Sequence, residues 1–436
     1  MKKWSLSKWT LAITMLIMVL VSNNLNWTRD SWKGVIEADA KGYFAYLPAT
    51  FVYGDLNYGF YDDMEMDKYY DPNFYFDYRF QTEDDRYYNK YFCGSAIAMS
   101  PFYLIGHVIA NSSGYDADGY SYPYIVSITL AALFYLFLGL LYLRKTMTLY
   151  EISERNKSVV LLATAFGTNL FYYAIVEPGL SHIYSFAFVS MFIYFAKRYF
   201  ISFEKRYVIY LAATLAIIIL IRPVNGLIIF SLPLIAGNFL RLKNGLQFLL
   251  QHGKVLLYGL LIGTLILAIQ LLVYKLSTGQ FFIYSYGTDR FYFLDPHMID
   301  ILFSYRKGLF LYTPIYLIAV LGVFVLWRSR KFEVLSFLGF FLLITYVLSS
   351  WWMWYYGGSF SSRVYVEFLP VFMILLALSL HELRIRWTKF TSVAIIVLLI
   401  GLCQVQTYQY RYGEIHWSEM TKDHYWNVFL RIDRLM

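Results

Sequence analysis

Charged side chains that could perform chemistry stand at a few isolated positions of this 436-residue sequence. Glu37 and Asp39 lie two residues apart, and Glu177 is followed directly by Pro178. A carboxylate held just outside an apolar environment can accept the proton of a hydroxyl or amine nucleophile. These acids are therefore candidate general bases, with Asp39 first and Glu37 and Glu177 next. The alternative for each acid is a helix cap or a solvated side chain, because acids favour the first turn of a helix.

Three cations stand at the edges of apolar blocks, namely Lys90, Arg222 and Arg363. A positive side chain at a membrane boundary is a common phosphate ligand, and an arginine there is costly unless it is paired or faces a water-filled cavity. All three are therefore candidate phosphate ligands. Two alternatives stay open: Lys90 could be a snorkelling anchor, and Arg363 could pair with Glu367, four residues later.

An aromatic run at positions 351–356 precedes Arg363. Within it, Trp352, Trp354 and Tyr355 could stack on a sugar, although an aromatic belt at the membrane interface explains the run equally well. Other candidate groups are sparse. The acidic stretches 62–67 and 83–86 match no EF-hand pattern and favour a solvated surface. No metal site is predicted, although a role for a divalent metal stays open.

The composition indicates what must position these residues. Apolar residues make up 59% of the chain and charged residues only 15%, against roughly 25% charged in soluble domains. A soluble globule, a disordered chain and a coiled coil are thereby excluded. The charges lie between apolar blocks near the length that crosses a bilayer, which is roughly 20 residues. We therefore expect an all-α polytopic integral membrane protein without a nucleic-acid partner.

The apolar blocks predict about 11 transmembrane helices. The first begins near Trp4, and we interpret it as an uncleaved span rather than a signal peptide. The others are predicted at 122–143, 159–176, 180–196, 207–221, 227–240, 255–276, 309–327, 334–350, 364–380 and 390–405.

The distribution of basic residues predicts the orientation. Six short segments (1–8, 144–157, 197–206, 241–254, 328–333 and 381–389) hold 20 of the 37 Lys and Arg side chains but only five of the 29 acids. The positive-inside rule makes these segments cytoplasmic, so the N-terminus is cytoplasmic and the C-terminus external. The apolar stretch 94–110 would reverse this order if it crossed. It is therefore expected to be a helix in the outer interface.

This topology predicts one membrane domain with three parts. Residues 22–121 form a large outer loop with juxtamembrane helices, 122–408 the helical core and 409–436 an outer tail. The first juxtamembrane helix is expected over 30–48, where Pro48 ends or kinks it.

Three short motifs carry a resemblance to a known family. EADAKGY at 37–43, YNKYFCG at 88–94 and AIVEPGLSH at 174–182 resemble, in this order, the first-loop acidic motif, the lysine-containing motif before an interfacial helix and the acid-Pro turn of GT-C membrane glycosyltransferases. The chain looks most like aminoarabinose transferases and protein mannosyltransferases, over about the first 240 residues. It departs from the pattern at Asn89, where an acid often precedes the lysine, and it lacks a sizeable soluble C-terminal domain.

The resemblance implies an inverting glycosyltransferase. A sugar would move from a polyprenyl-phosphate donor to a lipid, glycan or protein acceptor at the outer face of a prokaryotic inner membrane. Asp39, Glu37 or Glu177 would take the acceptor proton, and the three cations would neutralise the departing lipid phosphate. No cofactor is implied; the partners are the lipid-linked donor, the acceptor and membrane lipids.

Two further classes of protein stay open. A flippase for lipid-linked sugars would also have many spans, but its two halves would be expected to repeat, and no repeat is visible in the sequence. A non-catalytic envelope assembly protein is the other alternative.

Overall fold

A computed structural model describes residues 4–71 and 75–435 of the chain. Lys2 and Lys3, which belong to the first predicted cytoplasmic segment, lie outside the described residues. An antiparallel hairpin pairs β1 (Arg79–Gln81) with β2 (Tyr87–Asn89). The helices are α1 (Leu6–Ser22), α2 (Asp39–Phe51), α3 (Gly94–Ser112), α4 (Tyr122–Leu149), α5 (Glu154–Phe166), α6 (Leu170–Ile175), α7 (Ser181–Ser202), α8 (Lys205–Ile221), α9 (Leu232–Ala236), α10 (Phe239–Gln251), α11 (Gly253–Thr278), α12 (Met298–Phe303), α13 (Leu309–Tyr312), α14 (Ile315–Leu326), α15 (Lys331–Ser349), α16 (Leu369–Glu382), α17 (Arg386–Arg411) and α18 (Lys422–Val428).

Long apolar helices dominate this architecture. Five helices in the described part of the chain are long and apolar enough to cross a bilayer: Leu6–Trp27, Tyr122–Leu149, Gly253–Thr278, Lys331–Ser349 and Arg386–Arg411. The first of these continues α1 through one turn of π-helix. The chain is thus a mostly helical membrane protein, as predicted.

The basic segments gather at one end of the bundle. Arg144, near the end of α4, donates to Ser7 in α1 over 2.7 Å. Lys197 and Arg330 line one cavity of about 270 Å³ between the ends of α4, α7 and α9. Arg330 also donates to Glu382 at the end of α16 over 3.0 Å. These contacts join helix ends that are far apart in sequence, and we call this face the basic end.

The opposite end carries the outer loop and the C-terminal tail. Asn26 donates to the Ile175 carbonyl over 2.6 Å, which joins the exits of α1 and α6. Lys307, just before α13, donates to the carbonyls of Ser359 (2.5 Å) and Trp417 (2.6 Å). The tail is thereby held over the loops that precede α13 and α16. We call this face the site end.

Several of the apolar blocks are not single α-helices. Block 159–176 is interrupted at Gly167 between α5 and α6, and block 309–327 is interrupted at Thr313 between α13 and α14. Block 227–240 differs most, because a 3₁₀ helix over Pro223–Ser231 leads into the short α9. At 2.0 Å per 3₁₀ residue and 1.5 Å per α residue, these elements extend about 25 Å. Proline and glycine in this stretch explain why a regular α-helix does not form.

Helix α3 packs against both α4 and α8. Gly94 at its start packs against the backbone of Leu220 and Ile221, where α8 ends. Gly106 packs against the Pro123 carbonyl, where α4 begins. Twelve residues of α-helix rise only about 18 Å, less than the roughly 30 Å of a bilayer core. Both contacts therefore lie near one end of the bundle.

The outer loop is held together by aromatic side chains. Phe44 of α2 packs edge-on against Tyr103 of α3 and against Tyr120, with ring centroids 5.7 and 5.5 Å away. Helix α2 starts later than the 30–48 helix expected from the sequence, and Pro48 lies inside it. This packing holds α2 against α3.

Candidate functional site

Asp39 opens helix α2 and lies at the centre of a charged cluster. Its Oδ2 accepts a hydrogen bond from the Arg363 guanidinium over 2.7 Å, and its Oδ1 accepts one from the Tyr91 hydroxyl over 2.6 Å. The preceding residue, Ala38, has φ 50° and ψ −132°, a conformation that costs energy for any residue with a Cβ. The strained turn aims Asp39 at Arg363 rather than back along its own helix.

These contacts control the charge of Asp39. Burial alone would raise its pKa, but the Arg363 guanidinium, the Tyr91 hydroxyl and the nearby Lys90 lower it to about 2. Asp39 is therefore ionised at neutral pH. A carboxylate of such low basicity holds and orients its partners well but removes a proton poorly, since a general base works best with a pKa near the operating pH.

Arg363 enters the cluster from the loop before α16. It begins a short 3₁₀ turn over Arg363–Tyr365, and Ser361, two residues earlier, has φ 59°. Its side chain is mostly buried, and its Nε has no hydrogen-bond partner among the described residues. Because a buried N–H group is costly to leave unpaired, Arg363 has donor capacity left for a ligand.

A second ion pair lies beside the first. Arg222, at the end of α8, donates to Glu367 over 2.9 Å, and Nδ1 of His182 at the start of α7 lies 3.0 Å from the same carboxylate oxygen. The alternative considered from the sequence, in which Glu367 pairs with Arg363, is therefore wrong. Arg363 instead contacts an acid that lies 324 residues away in sequence.

Lys90 directly follows β2 and approaches the same cluster. Its ammonium lies over the rings of Phe76 and Tyr91, 4.9 and 5.1 Å from their centroids, and its charge acts on Asp39. It forms no ion pair within 4.0 Å in the described part of the chain, so its charge is not neutralised by a direct partner. Asp39, Lys90 and Arg363 thus lie close together.

Glu177 provides a second carboxylate of different character. Its Oε1 accepts from the Tyr172 hydroxyl over 3.2 Å, whereas its Oε2 is buried and has no hydrogen-bond partner among the described residues. Burial raises the pKa of Glu177 to about 7, even though the charge of Arg363 opposes the shift. Glu177 is therefore poised to exchange a proton near neutral pH.

The other sequence candidates lie away from this cluster. Glu37 is exposed and lines a cavity of about 1070 Å³ in the outer loop. Trp352 is 42% exposed, and Trp354 stacks on His297 with ring centroids 5.5 Å apart. Arg306 covers the face of Tyr355, 3.4 Å from the ring centroid. The faces of Trp354 and Tyr355 are thus already partly covered by protein.

Different aromatic residues surround the cluster. Tyr43 packs against Tyr91 with ring centroids 4.6 Å apart. Tyr286 lies between Tyr91 and Trp351, at centroid distances of 6.4 and 5.5 Å. Sequence reasoning missed these rings because only the packing of distant segments brings them together. Tyr43 and Tyr91 lie inside the motifs at 37–43 and 88–94, and this position was the signal in the sequence that could have identified them.

The residues present do not fit a divalent metal. No group of three or more His, Cys, Asp and Glu side chains is placed to hold one in residues 4–71 and 75–435. Both oxygens of Asp39 already accept hydrogen bonds, one of them from a guanidinium. The position opposite the Asp39 carboxylate is therefore filled by a fixed positive side chain.

Comparison with known proteins finds similarity to solved structures only. No protein-family model matches the sequence, and no curated protein does. Among solved structures, the oligosaccharyltransferase AglB of Archaeoglobus fulgidus, in a complex with an inhibitory peptide and a dolichol-phosphate, is similar at 12% identity (TM-score 0.46). An oligosaccharyltransferase from this organism in the apo form is similar at the same identity (TM-score 0.47). A third structure of the oligosaccharyltransferase from this organism, tethered to an acceptor peptide, has a TM-score of 0.47 at the same identity. Each match covers 96% of this chain but only 56 to 57% of the other.

Proposed function

We propose that this protein is an inverting membrane glycosyltransferase that uses a polyprenyl-phosphate-linked sugar as donor. The observation that carries the proposal is the convergence of Asp39, Lys90, Arg222 and Arg363 at the site end. These residues come from four segments, each adjacent to the predicted outer boundary. A lipid phosphate at that boundary would meet all three cations.

The charges of the cluster suit a lipid phosphate leaving group. Lys90, Arg222 and Arg363 oppose two carboxylates that already form ion pairs, Asp39 and Glu367. One positive charge remains unneutralised when Glu177 is protonated. Fixed positive charge in a partly buried site favours the anion that develops on the departing phosphate.

Asp39 and Glu177 have different roles in the proposed reaction. Asp39 stays ionised, holds Arg363 and can accept a hydrogen bond from the acceptor nucleophile. Glu177, with its raised pKa and an unpaired oxygen, takes the nucleophile's proton. The nucleophile attacks the anomeric carbon, the bond to the lipid phosphate breaks, and the configuration inverts. No enzyme nucleophile is required.

The proposal includes the topology. Eleven segments would cross a prokaryotic inner membrane, with the basic end cytoplasmic and the site end external. The 3₁₀ segment and α9 would form one crossing, and α3 would lie in the outer interface. The chain would then comprise the outer loop 22–121, the core 122–408 and the external tail 409–436.

The test uses full-length protein in liposomes with a polyprenyl-phosphate sugar. Free polyprenyl phosphate should appear only when an acceptor is added, and a nucleotide sugar should not replace the donor. Movement of intact lipid-linked sugar between leaflets, without cleavage, would instead identify a flippase.

Asp39→Asn is the matched variant for this assay. It keeps the size of the side chain but removes the charge that holds Arg363, so transfer should fall by about 10²-fold or more. Asp84→Asn, at an exposed outer-loop acid, should have no effect. Near-normal turnover of Asp39→Asn would contradict the proposed site.

A further inference from the structure

The largest cavity described above lies in the outer loop, beside the cluster rather than within it. It encloses about 1070 Å³ between the exit of α1 and the start of α4. We propose that this cavity binds a neutral carbohydrate, the glycan part of the acceptor. The inference rests on the proposed function, because it names the acceptor class for the same site.

A buried, incompletely paired carboxylate points to a ligand. Glu65 is 3% exposed and lines the cavity. Its Oε1 accepts hydrogen bonds from the hydroxyls of Tyr78 and Tyr120, both over 2.9 Å. Its Oε2 has no hydrogen-bond partner among the described residues, because the Lys41 ammonium stops 3.6 Å away. A ligand hydroxyl can donate to this oxygen and accept from Lys41 at once.

The remaining wall is rich in aromatic rings. Trp32, Tyr69, Tyr115 and Tyr122 contribute to it. Amphipathic aromatic side chains present apolar faces and polar tips, which matches a sugar ring with C–H faces and hydroxyl edges. Pockets that combine aromatic walls with a few fixed polar groups are typical of small-molecule sites.

The charge of the lining favours a neutral ligand over an anionic headgroup. Four basic and four acidic residues line the cavity, so neither sign dominates. They are Arg29, Lys33, Lys41, Lys68, Glu37, Glu65, Asp71 and Asp116. Lys68 is already bonded to Asp116 and Asp118, each over 2.7 Å. An anionic lipid or a phosphate would find no net positive field here.

The cavity and the cluster meet at the first turn of α2. Glu37 and Lys41 line the cavity, and Asp39 stands midway between them in sequence. The strained conformation of Ala38 turns Asp39 toward Arg363 while its neighbours face the cavity. A glycan bound in the cavity could thus extend one hydroxyl toward the Asp39 cluster.

The test measures binding without the donor. Full-length protein in detergent is applied to a glycan array that carries neutral, amino and acidic glycans, and in parallel to a peptide array. We expect binding to neutral glycans that Glu65→Gln and Trp32→Ala each weaken tenfold or more. Trp426→Ala, at an exposed tryptophan of the tail, should bind like the wild type. A dye that reacts with the buried Cys93 and Cys403 checks that each variant is folded.

Three results would overturn the inference: no neutral glycan is retained, only peptides or acidic glycans bind, or both folded cavity variants bind normally. If Trp32→Ala does not fold, the nearly isosteric Glu65→Gln decides. Failure of the proposed function is distinguishable, because glycan binding without donor cleavage would leave the cavity assignment intact. Cleavage of the donor with an acceptor that the array does not retain would support the proposed function and contradict the cavity assignment.

Discussion

Asp39 and Glu177 carry the same functional group in different surroundings, and this difference supports the different roles that we propose for them. Two hydrogen-bond donors, one of them a guanidinium, hold the Asp39 carboxylate. Glu177 has one tyrosine hydroxyl and an unpaired oxygen. Environments that drive two carboxylates apart in pKa commonly separate an ionised group from a proton-transferring one. We therefore propose Glu177 as the proton acceptor, in place of Asp39, which is the first choice from sequence.

The pH dependence of transfer tests this assignment. Because the pKa of Glu177 is raised to about 7, its basic form is lost as the pH falls below that value. We expect kcat/KM to fall about tenfold per pH unit below pH 7. Asp39, with a pKa of about 2, should contribute nothing in this range. Glu177→Gln should lower the rate by about 10²-fold and abolish the fall of kcat/KM below pH 7.

Glu83→Gln, at an exposed acid of the outer loop, serves as the control and should keep the wild-type profile. A wild-type rate that stays flat between pH 5 and 7 would exclude Glu177 as the base. The role would then return to Asp39 or Glu37.

Lys90 should act on the donor. If its ammonium makes a charged hydrogen bond to the lipid phosphate, Lys90→Ala should weaken donor use by about 1.5 to 3 kcal/mol, measured as kcat/KM for the polyprenyl-phosphate sugar. The KM for the acceptor should not change. Arg86→Ala, at an exposed cation nearby in sequence, is the control. An effect confined to the acceptor would argue against phosphate binding.

At the scale of individual residues, the sequence predicted the candidate residue types better than it predicted their ion-pair partners. Asp39, Lys90, Arg222 and Arg363 were recognisable because a charge at the edge of an apolar block needs a reason. Their pairing was not predictable, since Glu367 is four residues from Arg363 yet contacts Arg222. Local spacing cannot rank partners that only the packing of distant helices brings together.

At the scale of elements, close packing of α3 on α8 positions the motif that holds Lys90 and Tyr91. A Cβ at Gly94 would lie only 2.5 Å from backbone atoms of Leu220 and Ile221, and backbone cannot move aside cheaply. Gly94→Ala should therefore destabilise the protein by about 1 to 3 kcal/mol. A lower unfolding temperature, followed by tryptophan fluorescence in detergent, is the expected result.

Gly339→Ala is the matched control. This glycine lies inside α15, and a Cβ there would meet no atom within 4 Å. Alanine is also the better helix former, by roughly 0.5 to 1 kcal/mol. Its unfolding temperature should stay equal or rise. Equal behaviour of the two variants would show that the contact between α3 and α8 is not tight.

The apolar blocks predicted where elements lie but not always their kind. Hydropathy measures transfer from water, which is the same for an α-helix and a 3₁₀ helix of one composition. Hydropathy therefore predicts the block 227–240 but not the 3₁₀ helix over Pro223–Ser231, which overlaps its start. Pro223 lacks a backbone N–H donor, but its effect on the local structure depends on the neighbours that flank it.

At the scale of the whole molecule, the charge distribution makes the topology testable. Reporter fusions after Lys145 and Lys331 should be cytoplasmic, because both positions lie in segments rich in Lys and Arg. Fusions after Asp85 and after the C-terminal residue should be external. A cytoplasmic C-terminus would imply an even number of crossings and would contradict this topology.

The ion pair between Asp39 and Arg363 has a consequence for biosynthesis. The two residues are 324 positions apart, so Asp39 emerges early in synthesis and its partner only near the end. Since domains are built from the N-terminus at about 5 to 20 residues per second, a growing chain exposes Asp39 without Arg363 for tens of seconds. A nascent or truncated chain thus lacks the assembled cluster, and premature stops before position 363 should leave no partly active fragment.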